Sequence, residues 1–486
     1  DAISIAIEKN LDIKIQGFVP TLRKADIGVE EGIFDPNLEL DFSEQYKENQ
    51  TSTQLAGTKI AVNRKHEVLI DFGQRLRTGA TYDIKWIFDR NDTNSRFVTE
   101  DPHYTSELLL EVKQPLLKDR GRDIQEANIH VAENDYKIAK LDLESKTLSV
   151  INEVEKLYWD LFHAYDELAV SKLSVKLAKT LYEVSKAKID AGVLAPVEIL
   201  VPEADIASRE EELINAEKRI RDADDKLKLA MHYRDWNREF IPVDRPPFPT
   251  TAPDLNREIA EAFKMRLDLK KAIIEKKSRD ITVRLARNKV LPDLSIVGGV
   301  GINGLNQNFH KTFEDQFSID FYSWKVGLTF NMPIGNRTAK SNLLKAKAQS
   351  RQATIFINKI KEKIIADVRE AVRTIEVALK HIDASVKSEA LAKERLENEQ
   401  EKFKVGMSTA HDVLQFQESY TRALSNKKKA LTDYAKALAD LKLIKRVPKI
   451  KEELRPEPIF RGVTGGRGLT REITGSTTTE GSQFTQ

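Results

Sequence analysis

The sequence predicts a mainly helical fold with membrane β-strands, in which a duplicated strand hairpin is joined to long coiled-coil helices. Three observations carry that expectation. The chain repeats itself. Segments with a hydrophobic period of two alternate with segments of period near 3.5, in the same order in each half. Residues 122–188 contain neither proline nor glycine, which at about 1.5 Å per residue allows roughly 100 Å of helix.

The repeat is read by direct alignment. Residues 1–40 fall without gaps on 257–296: Ile3 on Ile259, Ala6 on Ala262, Leu11 on Leu267, Asp12 on Asp268, Pro36 on Pro292 and Leu38 on Leu294. VKQPLL at 112–117 matches FNMPIG at 330–335, with Pro115 on Pro333, and AGVLAPVEIL at 191–200 matches VGMSTAHDVL at 405–414. The offset falls from 256 at Pro36/Pro292 to 218 at Pro115/Pro333, so the first half carries 38 extra residues between its strands. The first repeat is therefore expected over 1–232, with strands at about 36–114, long helices at about 122–232 and a turn at 192. Residues 233–257, with five prolines, form a linker. The second repeat follows at 258–446, with strands at about 292–332, helices at about 338–446 and a turn at 406. Residues 447–486 are rich in Gly, Thr, Ser and Pro and have little to bury, a composition that predicts a poorly ordered tail.

The strand segments alternate strictly. WKVGLTFNM puts Trp324, Val326, Leu328, Phe330 and Met332 on one face and Lys325, Gly327, Thr329 and Asn331 on the other. Leu38, Leu40 and Phe42 oppose Glu39 and Asp41; Leu108, Leu110 and Val112 oppose Glu107, Glu111 and Lys113. One apolar and one polar face suits a half-buried strand in a soluble sheet, and equally a barrel strand with lipid outside and water inside. Two hairpins in a long helical chain have no evident soluble layer to pack on, which favours the barrel and makes Trp324, Val326, Leu328 and Phe330 the candidate lipid-facing residues. The extra segment holds Tyr82, Ile84, Trp86 and Phe88 in alternation with Asp83 and Lys85, an added hairpin-like excursion whose place, in the wall or beyond it, the pattern leaves open.

In the helices, Ile151, Val154, Tyr158, Leu161, Tyr165 and Leu168 step by threes and fours, as do Ile360, Ile364, Val368, Ala371, Ile375, Ala378 and Ile382. Both are coiled-coil seams. Each long helical region is broken once by a glycine turn, at Gly192 and Gly406, and six residues later comes a carboxylate, Glu198 or Asp412, favoured by the helix dipole in the first turn of the next helix.

Composition narrows the function classes. With 78 basic against 76 acidic residues there is no strong basic field for nucleic acid. Cysteine is absent, so thiolate metal sites, disulfides and a cysteine nucleophile are excluded. No uninterrupted apolar run of about 18 residues is available for a transmembrane helix. Asp1 opens directly on helical sequence, a start that fits either a mature chain whose leader is gone or a cytosolic one. GVGING at 299–304 matches a dinucleotide fingerprint literally, but the residues after it are polar and aromatic, with no helical periodicity to hold a pyrophosphate. The eight histidines show no metal-ligand spacing. No cofactor and no enzymatic activity are expected.

The duplicated layout, the G-x5-[DE]-[VIL]-[VIL] turns at Gly192/Glu198 and Gly406/Asp412, and the QPLL segment at Gln114–Leu117 together resemble the TolC family of outer-membrane factors over about residues 1–446. The resemblance implies a passive exit duct in the outer membrane of a Gram-negative bacterium: a homotrimer in which each protomer gives four strands to a 12-stranded β-barrel set on an α-helical barrel through the periplasm. Its partners would be outer-membrane lipid, a periplasmic adaptor protein and an inner-membrane pump, in drug or metal efflux or in type I secretion. It places the adaptor-docking tip at Gly192, Val193, Leu194, Glu198, Gly406 and Met407. The acidic entrance constriction falls at Asp412, with Gln415 standing where some members carry a second aspartate. The competing expectation, a non-membrane coiled-coil scaffold, accounts for the helices but not for the strand alternation or the duplication.

Overall fold

The computed structural model describes residues 1–51, 58–247 and 251–445. The expected tail at 447–486 lies outside the described residues. Two short helices, α1 (Ala2–Lys9) and α2 (Leu11–Glu31), precede four strands, β1 (Asn37–Gln50), β2 (Ile60–Arg75), β3 (Thr81–Thr93) and β4 (His103–Pro115). One helical turn, α3 (Arg122–Gln125), leads into the 64-residue α4 (Ala127–Asp190), which returns as α5 (Leu200–Met231). The second half runs α6 (Leu255–Met265), α7 (Leu267–Asn288), β5 (Asp293–Asn306), α8 (Phe309–Phe317), β6 (Tyr322–Asn331), the 68-residue α9 (Arg337–Lys404) and α10 (Ala410–Lys445).

The helices form four columns. Along α4 lie α5 and α2 on one side and α10 and α7 on the other; α9 lies beyond α10 and α7. The short helices complete the columns end to end. Asn10, which caps α2 by accepting from the Ile13 amide at 3.0 Å, also donates to the Ala230 carbonyl at the end of α5 at 2.8 Å. Lys445, closing α10, pairs with Glu258 and, at 2.9 Å, with Glu261 of α6. The core follows the seams. Val150, Val154 and Leu161 of α4 bury against Ala6, Ile13, Leu227 and Met231, and Ile360, Ile364 and Val368 of α9 against Ala262, Leu269 and Ala272. Ala6 and Ala262, matched in the alignment, are both fully buried where a short helix meets a long one. Where the halves meet, α4 and α10 face each other through polar pairs: Asn152–Asp440 at 3.0 Å, Lys156–Asp440 at 2.5 Å, Glu155–Lys442 at 2.9 Å, Asp160–Lys436 and Asp166–Lys428.

The strands depart from expectation. All six form one antiparallel sheet in sequence order, β1 to β6, not the four per protomer that the resemblance implies. The extra residues of the first half supply β2 and β3, which enter the sheet between β1 and β4. Their alternation matches the pleat of their neighbours, so pairing satisfies their backbone groups and keeps Val68, Ile70, Phe72, Tyr82, Ile84, Trp86 and Phe88 on one face, while the Leu69–Ile87 pair lies on the other. The turn between β2 and β3 is bound to the sheet–helix junction. Arg77 bonds the buried Glu126 at 2.7 Å, the Gly121 amide donates to the Thr78 carbonyl at 3.0 Å, and the Arg77 guanidinium sits 5.4 Å over the Phe34 ring.

A second departure is α8, in a segment whose sequence shows no clear helical period. Phe309, Phe313 and Phe317 at steps of four are the signal that polar neighbours masked. The helix lies on the apolar face of the sheet: Phe313 stands 6.0 Å from Trp86 and 5.1 Å from Phe88, and Phe309 5.7 Å from Tyr104. Ser106 donates to Gln316 at 2.7 Å. The glycines of GVGING lie within β5, hydrogen-bonded to β4 and β6, and hold no loop for a phosphate. Gly304 has a packing reason, because a Cβ there would stand 2.2 Å from the Thr312 carbonyl oxygen. Gly304→Val should therefore lift α8 off the sheet at a cost of about 1–3 kcal/mol. Tryptic cleavage after Lys311 in the folded protein is expected to accelerate at least tenfold; an unchanged rate would show that α8 is held by other contacts.

Candidate functional site

Two regions carry the candidate residues: the turns at one end of the helices and the two faces of the sheet at the other.

Both turns are the same motif. The Gly192 amide donates to the Ile189 carbonyl at 2.8 Å and the Val193 amide to Lys188 at 2.9 Å; the Gly406 amide donates to Phe403 at 3.1 Å and the Met407 amide to Lys402 at 2.9 Å. These are paired Schellman closures, which require a left-handed residue after the helix. Gly192 has φ +72° and Gly406 φ +82°. In such a motif the apolar residue after the glycine usually packs back on its own helix. Here Val193 is 65% and Met407 78% exposed. Around them Val197, Leu200 and Val405 are exposed as well, three apolar residues that sequence reading passed over because they follow no period. Leu194 alone turns inward, onto a cluster of Leu181, Leu396, Phe403, Ala410 and Val413 that fastens the two turns side by side. Lys188 ties them further, its ammonium 4.0 Å over the Phe403 ring and bonded to the Phe403 carbonyl. Glu198 is exposed in a 3-10 turn, Pro196–Ile199, that precedes α5, not in the helix's own first turn.

Asp412 sits in the first turn of α10. Its carboxylate accepts from the Thr409 hydroxyl at 2.6 Å and amide at 3.2 Å, while its own amide donates back to that hydroxyl at 3.2 Å, a reciprocal cap. The Thr409 hydroxyl bond holds the Asp412 carboxyl below the usual carboxylate range. The neighbouring carboxylate is Glu399 of α9, which sequence reading did not single out. The nearby Ser408 hydroxyl and then Lys402, whose ammonium bonds it at 3.1 Å, lower its pKa, while the Asp412 charge pushes it the other way. Gln415, one turn on, is exposed and its backbone carbonyl accepts from Ser419 at 2.9 Å.

Both carboxyls are depressed in the folded chain, so their contribution to stability is present above the ordinary values of 3.8 and 4.5 and is lost as pH falls through the lower folded values. Amide exchange at Thr409 and Asp412, corrected for intrinsic rates, should speed up below about pH 4 while the Tyr434 region of α10 stays protected. Equal protection at about pH 6 and about pH 2, below both folded values, would show that the carboxylate caps do not hold the turn.

The sheet presents two chemically distinct faces. One row runs Leu40–Ile70–Trp86–Leu108–Ile302–Tyr322 across all six strands, and the next Leu38–Phe72–Ile84–Leu110–Val300–Trp324. Trp324, Val326, Leu328 and Phe330 lie on this apolar face, all strongly exposed. The other face carries Glu39, Asp71, Lys85, Glu107, Glu111 and Lys325, with cross-strand pairs Lys85–Asp71 at 3.7 Å, Lys65–Asp89 at 3.1 Å and Lys325–Glu111 at 3.7 Å. An apolar face of this extent left bare in water would be an aggregation surface. Among the described residues there is no helix long and apolar enough to cross a membrane and no cluster of three metal-binding side chains.

In comparison with known proteins, the sequence profile described as "Outer membrane efflux protein" matches residues 89–231 and 259–444. Nodulation protein T of Rhizobium leguminosarum bv. trifolii is 21% identical over 328 residues, 66% of this chain and 68% of that protein. Among solved structures, the Campylobacter jejuni CmeC outer membrane channel superposes with a TM-score of 0.65 at 16% identity, over 91% of this chain and 84% of the channel. The Neisseria gonorrhoeae MtrE outer membrane channel, solved in its open state, gives 0.62 at 19% identity over 91% and 88%. At these identities the structural likeness establishes the fold.

Proposed function

The chain belongs to the outer membrane efflux protein family, whose members are passive outer-membrane channels and not enzymes, and from that premise we propose that three copies close into one continuous duct through the outer membrane and periplasm. One observation supports closure above the others. Among the described residues the sheet has two unpaired edges, β1 and β6, and the helical layer two outer columns, one led by α2 and the other formed by α9. Since α2 leads into β1 and β6 leads into α9, both layers end on the same two sides. A neighbour placed to pair β6 with β1 therefore also sets α9 against α2 and α5. The pairing is antiparallel, because strand direction alternates through an even number of strands. Exposed Leu344, Ile355 and Phe356 on α9, and Ile15, Leu22 and Val29 on α2, are the apolar side chains that contact would bury.

Bare strand edges are not tolerated in lipid, where each unmet backbone group costs several kcal/mol, and only closure removes them. Outside the part that α8 covers over Trp86, Phe88 and Tyr104, the apolar face then meets lipid, and the charged face meets water. At the far end the exposed apolar rim of Val193, Val197, Leu200, Val405 and Met407 is the docking tip for a periplasmic adaptor, and an inner-membrane pump supplies the energy, in tripartite efflux or type I secretion. Asp412 and Glu399 stand at the entrance. Light scattering of the detergent-extracted protein should give three chains per particle, and photo-crosslinkers at Val193 and Met407 should capture the adaptor. A detergent-free soluble monomer would overturn the duct; a trimer without adaptor capture at either turn would overturn the tip.

A further inference from the structure

We infer that the membrane wall is an 18-stranded barrel, six strands from each of three copies, with the β2–β3 hairpin forming one third of it; the inference rests on the trimeric duct proposed above. Three observations carry it. First, β2 and β3 are not an appendage to the sheet. β1 pairs with β2 from Asn37/Gly73 to Gln50/Ile60, and β3 with β4 from Thr81/Lys113 to Asn91/His103, so among the described residues β1 and β4 are not paired neighbours that could form a four-strand wall without them. Second, the apolar rows pass through both strands without a break, and Asp71, Lys85 and Asp89 continue the charged face. A hairpin folded over either face would expose one of these sets to the wrong medium. Third, the turn between them, Leu76–Ala80, is bound at the sheet–helix junction through Arg77–Glu126 and Thr78–Gly121, the level at which β4 hands over to α3 and α4.

The widths of the two layers agree with this count. Strands about 4.8 Å apart and tilted about 40° each occupy roughly 6 Å of circumference. Six strands then span about 38 Å per protomer and four strands about 25 Å. Four helical columns at about 9–10 Å also span about 38 Å. Six strands thus match the helices below them, whereas four require the wall to taper. Relative to a 12-stranded mouth the barrel is about 1.5-fold wider, since diameter grows nearly linearly with strand number. The outlet is then as wide as the helical duct, and the narrow point of the path falls at the tip.

The test uses the assembled trimer in lipid nanodiscs, with bimane on single cysteines in this cysteine-free chain. Val68→Cys on β2 and Ile84→Cys on β3 should be quenched by brominated lipid to within about twofold of Leu328→Cys on β6. Asp71→Cys and Lys85→Cys should escape that quenching and react with a membrane-impermeant maleimide. If positions 68 and 84 are unquenched while 328 is quenched, the hairpin lies off the wall and the 18-stranded barrel is wrong, with the duct intact. If 328 is also unquenched, or the particle is not a trimer, the duct itself fails. Cryo-EM of the unmodified protein decides the same point without substitutions: eighteen strands in a section through the barrel support the inference and twelve overturn it.

Discussion

Leu328→Arg is expected to prevent assembly in the outer membrane, and Thr329→Arg, one residue on, is expected to permit it. The two side chains leave β6 on opposite faces, Leu328 beside Ile296 in the apolar rows and Thr329 beside Ser295 on the polar side. An arginine on the lipid face of a barrel costs about 2–4 kcal/mol near the midplane, falling toward the interfaces. Three copies in a trimer bring that to roughly 6–12 kcal/mol, comparable with the whole stability of an ordinary domain. An arginine on the water-filled side is solvated and costs little. The readout is the yield of trimer resistant to dodecyl sulfate in the outer-membrane fraction. A loss of at least tenfold for Leu328→Arg, with Thr329→Arg within about twofold of the parent, fits the barrel. Equal yields for the two variants would show that β6 has no lipid face.

The apolar face of β6 belongs to the part of the fold most legible in the sequence. Strict alternation in Trp324–Phe330 fixes which side chains share a face before any partner strand is known, because a strand's period is two. The seam of α9 is equally legible, with Ile360, Ile364, Val368, Ala371, Ile375, Ala378 and Ile382 all buried, and that of α4 less so, with Ile151, Val154 and Leu161 buried but Tyr158, Tyr165 and Leu168 only half-buried. The place of β2 and β3 was not legible, since alternation says which face a residue takes but not which strand lies beside it. That is settled by register, and register is a property of the pair. The helix α8 was hidden for a related reason. Its three phenylalanines serve one local contact with Trp86, Phe88 and Tyr104, contributed by strands some 200 residues earlier in the chain. At the tip, glycine announced the turns, but Glu399 escaped notice because it lies on the neighbouring helix and meets Asp412 only once α9 and α10 are folded together.

Gly406→Val should abolish export while leaving the trimer and barrel intact. The position has open space around it, with nothing within 4 Å of where a β-carbon would stand, so crowding does not enter. The cost is conformational: φ +82° is a left-handed geometry that L-residues reach at about 1–2 kcal/mol and β-branched ones less readily still. Set against the buried seam between α9 and α10, that cost does not unfold the hairpin. It is relieved locally, by opening the bonds from Gly406 to Phe403 and from Met407 to Lys402. The consequence is a moved Met407, the most exposed of the tip's apolar side chains at 78%. Two companions separate shape from contact. Gly406→Asn keeps a residue that tolerates left-handed geometry and should retain most export. Met407→Glu leaves the turn unstrained but places a charge in the docking rim, and should lose adaptor crosslinking at least tenfold. Export that survives both Gly406→Val and Met407→Glu would remove this turn from the docking surface and leave the Val193 turn to carry it alone.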